Sequence, residues 1–118
     1  MEDIIRTKEK IEALINSLQG AKKELKARGE KKAETIANYD KVLALTILKM
    51  KNGIIKEFEG ANITDPPATI LEKLAKGYCW QERLELEKAD AAYKSLITYI
   101  DVTEAQLNGY QSINRHLE

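Results

Sequence analysis

Leu86, Tyr93, Ile100 and Leu107 recur at one seven-residue interval, and Ala89, Leu96, Thr103, Tyr110 and Leu117 at another, offset by three. This is the a/d seam of a heptad repeat. It commits the last third of the chain to a helix that buries one narrow stripe against a partner helix. The expected core seam is Leu86, Ala89, Tyr93, Leu96, Ile100, Leu107, Tyr110 and Leu117. Two polar positions on it, Thr103 and Asn114, fix register or oligomeric state at some cost in stability.

Composition agrees with long helices rather than a β domain: 32% of the residues are charged, 6% aromatic, and the 118-residue chain holds six glycines and two prolines. A first helix is predicted over about 2–51, where Ile4, Ile11, Leu18 and Leu25 recur every seven residues without a proline. The next apolar register, Ile36, Leu43 and Met50, starts eleven residues after Leu25, a heptad plus four, which predicts a stutter near Gly29. Between Tyr39 and Met50 the chain is apolar on nearly every face, so this stretch wants neighbours on several sides.

Asn52-Gly53 ends the first helix, and 54–64 forms a packed connector. Asp65-Pro66-Pro67 then opens a short helix over about 66–76, with Asp65 as cap and Pro66 in the first turn. The last helix is predicted over about 79–116. The fold class is thus all-α: two long antiparallel helices joined by a short one, a helical bundle or coiled coil in a single domain of residues 1–118. At about 1.5 Å per residue the long helices measure roughly 75 and 57 Å. If Lys51 faces Cys79, the C-terminus lies beside Ala13, and the first dozen residues overhang within an N-terminal extension of residues 1–32. Ile4, Ile11, Leu14, Leu18 and Leu25 then form a candidate dimer or partner interface, and a homodimer with a four-helix core is expected.

The 19 basic and 19 acidic residues cancel and the pI is near 6.6, so bulk charge does not favour nucleic acid. Locally, Lys22, Lys23, Lys26, Arg28, Lys31 and Lys32 cluster within eleven residues. They read first as a solvated helix face, and alternatively as a nucleic-acid patch doubled by dimer symmetry. Trp80 is expected to cover the 42–50 segment, with a role as aromatic interface anchor as the alternative.

Reactive groups are scarce. Cys79 and His116 are the single cysteine and histidine, and they sit near opposite ends of one helix. The Glu-x-x-His pattern of bundle metal sites is missing, and Glu82, Glu85 and Glu87 beside Arg83 and Lys88 read as surface ion pairs. The glycines lack the continuation of a phosphate loop. No enzyme activity, catalytic residue, metal or cofactor is therefore expected. Nor does the chain contain a leader-like opening or an apolar run of about 18 residues, so a cytoplasmic protein without a membrane partner is expected.

Over roughly residues 33–118 the sequence resembles small helical proteins of bacteriophages and prophages encoded near recombination and single-strand-binding genes. The resemblance rests on Tyr39-Asp40-Lys41 leading into an apolar helix end, Pro67-Ala68-Thr69, Ala75-Lys76-Gly77, and Ala105-Gln106-Leu107-Asn108 followed by Gln111-Ser112 and Arg115. It implies a phage context in the host cytoplasm and carries no functional residue with it. Proteins of that kind act as accessories to nucleic-acid metabolism or as inhibitors of host nucleases or CRISPR systems. The leading expectation is a phage-type protein that works by docking a helical surface on a protein partner. Direct DNA or RNA binding, as an accessory of phage recombination or replication, and a scaffold role in assembly are the alternatives.

Overall fold

A computed structural model describes residues 2–117. In chain order these form α1 (Glu2–Lys51), β1 (Glu57–Phe58), β2 (Ala61–Asn62), α2 (Ala68–Tyr78) and α3 (Trp80–Leu117). The all-α architecture with two long helices and a short one is as the heptads predict. Glu2 and Asp3 in the first turn of α1 and Lys49 and Lys51 in its last complement the helix dipole. At its end Gly53 takes φ +72°, Ile54 N–H donates to Lys49 O at 2.8 Å and Gly53 N–H to Met50 O at 3.3 Å. This is a Schellman motif, whose left-handed residue only glycine adopts without cost.

The connector holds one element that periodicity does not show. Glu57 pairs with Asn62 and Phe58 with Ala61 across a two-residue turn in which Glu59 and Gly60 have φ of +51° and +80°. Both positive angles make it a type I′ hairpin, but Glu-Gly is not its usual signature and the strands are too short to alternate. Asp65 does not cap α2. Its φ is +49°, and Pro67, with ψ 147° and no side-chain cap, precedes the first helical residue. Pro67 holds Pro66 extended, so the helix starts at Ala68 rather than at 66. Beyond the predicted end at 76, α2 runs through Gly77 to Tyr78, and Cys79 alone separates it from α3.

Read from sequence as one domain, the chain divides into two compact units, one of residues 2–30 with 91–117 and one of 31–90. In the first unit α1 and α3 run antiparallel, since Arg28 meets Ala92 while Asp3 and Thr7 lie beside Tyr110 and Leu117. Its core is Leu18, Ala21, Leu96 and Ile100, flanked by Leu25 and Leu107. Thr7 and Thr103 enter this seam because their hydroxyls donate to Asp3 O and Tyr99 O, both at 2.7 Å.

The expected overhang does not occur. Residues 3–10 face 110–117, so Ile4, Ile11 and Leu14 are half-buried and Leu18 buried within their own helix pair. In the second unit, taken by itself, Cys79 meets Thr46 instead of Lys51. Met50, at the end of α1, packs with Ala75 of α2 and Ile63 of the connector, so α3 begins several residues further back along α1.

The second unit also removes the predicted stutter. Lys32, Thr35 and Tyr39 keep the three-four spacing of the buried positions before them, whereas Ile36 is exposed. The seam keeps its phase through Thr46, with polar residues on it, and moves by one position only at its end, where Met50 is buried and Lys49 exposed; of the predicted register Leu43 is half-buried and Met50 buried. Leu43, Ile47, Ile55, Phe58, Leu71 and Leu74 flank the Met50, Ile63 and Ala75 core. Phe58 lies 3.6 Å from where a Cβ on Gly77 would sit and 5.8 Å, ring to ring, from Tyr78. These residues pack around the end of the 42–50 segment, and Trp80 is 52% exposed.

Candidate functional site

The six cations of the basic cluster have two different fates. Lys22, Lys23, Lys26 and Lys31 are exposed. Arg28 is partly buried in the first unit, donating Nε to Glu24 at 3.1 Å and Nη1 to the Ala92 carbonyl at 2.9 Å. Lys32 lies in the seam of the second unit with Nζ 3.0 Å from Asp90 Oδ1. Those two cations hold helices together, which reduces the charge offered to an outside polyanion.

Along the predicted seam of α3, burial varies by position. Ala89, Leu96 and Ile100 are buried, Leu86, Tyr93, Leu107 and Tyr110 half-buried, and Leu117 is exposed at the helix end. Tyr93 packs on Gly29, its ring 3.5 Å from a Cβ placed there. A side chain at 29 is therefore tolerated only as small.

More informative is what each unit leaves uncovered. In the second unit Leu45 and Leu48 share one face of α1 and are 44% and 54% exposed, so the all-round apolar segment keeps one side without a neighbour. Trp80 and Leu84, four apart on α3, are 52% and 43% exposed, and Ile70 and Tyr78 of α2 are also open. Beside them Arg83 lies over the Tyr39 ring, 5.6 Å from its centroid, and donates to Glu87 at 2.9 Å. Hydrogen bonding to Tyr39 and then to Glu87 raises its pKa further, so this cation keeps its charge at any working pH.

In the first unit an open cleft of about 340 Å³ is lined by Asp3, Arg6 and Lys10 of α1 and by Tyr110, Ile113 and Leu117 of α3. Sequence reasoning missed this cleft because it placed no helix opposite residues 3–10. Cys79 is 1% exposed and hydrogen-bonded to Thr46 at 3.2 Å, so its thiol is shielded. Among the described residues no group of three or more His, Cys, Asp or Glu side chains could hold a metal ion. No helix among them is long and apolar enough to cross a membrane.

No protein family, curated protein or solved structure matches this chain.

Proposed function

We propose that this protein is a non-catalytic helical docking protein that binds another protein through the 31–90 unit, in host cytoplasm and in a phage context. The observation that supports this reading is the set of large apolar side chains left open there, above all Trp80 with Leu84 on one face of α3. Aromatic anchors of this type dominate protein–protein binding energy. The resemblance to small phage helical proteins supplies the context: an accessory to, or inhibitor of, nucleic-acid metabolism or a host defence nuclease, acting by occlusion.

The test is retention of a protein partner from infected-host extract by the wild type and by the double variant Trp80→Ala with Leu84→Ala. Both positions are open, so the fold survives, which circular dichroism checks. Truncating a hot-spot side chain weakens binding by about 2 kcal/mol or more, roughly 30-fold in affinity. A partner retained equally by the double variant refutes the assignment. So does tight, salt-dependent binding of DNA or RNA that Lys22→Glu with Lys26→Glu abolishes, which would select the direct nucleic-acid reading instead.

A further inference from the structure

We infer that a second copy of this chain docks on the outer face of α3 between Ser95 and Ile113, the two α3 helices crossing antiparallel about a two-fold axis at Gln106. Three independent features of the first unit meet in this arrangement.

The first is charge. Of residues 91–114 just three are charged, Lys94, Asp101 and Glu104, in a chain with 19 basic and 19 acidic residues among 118. At about 100° per residue those three fall together on another side of α3 from Ser95, Tyr99, Val102, Gln106, Gly109 and Ile113. The latter six alternate by four and three, all are exposed, and Tyr99, Val102 and Ile113 are 49%, 52% and 49% so. A face without charge offers nothing to a polyanion or to a charged peptide. It does allow like to meet like, which an isologous two-fold contact requires and which a charged stripe forbids by self-repulsion.

The second is self-complementarity. Turned about Gln106, the stripe sets Tyr99 opposite the partner's Ile113 and Val102 beside the partner's Gly109, one position from the level it faces, so a large residue meets an apolar or a small one along the stripe. Gln106 faces its own copy, and two primary amides can each donate and accept. Gly109 fits this pairing. A helix-interior glycine is destabilising relative to alanine, and a Cβ there would meet nothing within 4 Å of its own chain.

The third is the cleft. Ile113 belongs both to the stripe and to the cavity wall, so the partner's Tyr99, placed opposite Ile113, stands at the cavity mouth. A phenol ring suits the Tyr110, Ile113 and Leu117 wall, with Arg6 and Lys10 able to flank the ring face and Asp3 to accept from the hydroxyl. Two-fold symmetry fills both clefts.

With the axis at Gln106 the stripe overlaps its copy from Tyr99 to Ile113, roughly 21 Å long and about 10 Å wide, about 210 Å² per chain. That is near a quarter of the ~800 Å² per partner in a standard complex. The filled clefts add to it, and the dimer is weak and concentration-dependent.

Light scattering and sedimentation equilibrium from about 5 to about 200 µM test this. The expected mass rises to twice the 13.4 kDa of one chain. Val102→Glu, at an open position that leaves the helix intact by circular dichroism, weakens association more than tenfold. Gln106→Cys gives a disulfide-linked dimer under mild oxidation, whereas Lys22→Cys does not. A single-chain mass at the highest concentration overturns the inference. A dimer indifferent to Val102→Glu overturns the face, and a dimer that fails to cross-link through Gln106→Cys overturns the axis. None of these variants alters Trp80 or Leu84, so partner capture by the 31–90 unit succeeds or fails separately.

Discussion

Arg28 and Lys32 show how a side chain's sequence neighbours can misplace it. Beside Lys22, Lys23, Lys26 and Lys31 they read as part of a basic face, yet Lys32 is spaced by sevens with Leu18, Leu25, Tyr39 and Thr46, and Arg28 with Ala21 and Thr35. Admitting polar residues to the seam is the signal that finds them. Because the Lys32 and Asp90 side chains are 32% and 21% exposed, their pair is partly screened. Asp90→Ala should lower stability by only about 0.5–1 kcal/mol, and by less in high salt, as urea titrations at two salt concentrations will show. Glycines separate by backbone angle. Gly20 is helical with open space at its Cβ position, so Gly20→Ala should stabilise by about 0.5–1 kcal/mol. Gly53, at φ +72°, should lose about 1–2 kcal/mol on conversion to alanine. Thermal melts of both variants decide the signs.

At the scale of elements, the extents of α1 and α3 were legible within a residue or two, since long unbroken periodicity and a Gly-terminated end are local signals. The segment between them was not. Its hairpin rests on two-residue strands, and α2 starts at Ala68 because two adjacent prolines restrict the backbone before it, which displaces Asp65 from any capping role. An N-cap aspartate would lose about 1 kcal/mol on mutation. Asp65 at φ +49° should instead gain up to about 1 kcal/mol from Asp65→Gly, measured by denaturant midpoint. Ala75 is 0% exposed between Met50 and Ile63. Ala75→Leu overfills that space and should cost about 1–3 kcal/mol.

For the whole molecule, burial is thin and distributed along seams. Leu18 and Leu96 are each 7% exposed, and either change to alanine should cost about 2–5 kcal/mol in calorimetric or urea unfolding. Gly109→Ala separates chain stability from association. It removes the helix penalty of glycine and so raises stability by about 1 kcal/mol at low concentration, while crowding the partner's Val102 and weakening the dimer. Paired melting and sedimentation measurements see opposite signs if the α3 face is the contact, and the same sign if it is not.

The amino-acid sequence by itself determined the all-α class, the heptad stripe of α3, the span of the long helices and the place where α1 ends. Each is a property of one segment: a period of 3.5, an absence of proline, a glycine able to take positive φ. Only the tertiary structure decided the register between helices, with Thr46 rather than Lys51 opposite Cys79. It likewise turned Arg28 and Lys32 inward and left Trp80, Leu84 and Tyr99 outside. A heptad pattern repeats every seven residues, so several slides of one helix along another satisfy it alike. Within the 31–90 unit α2 and the connector cover the end of α1, and Thr46 rather than Lys51 stands opposite Cys79.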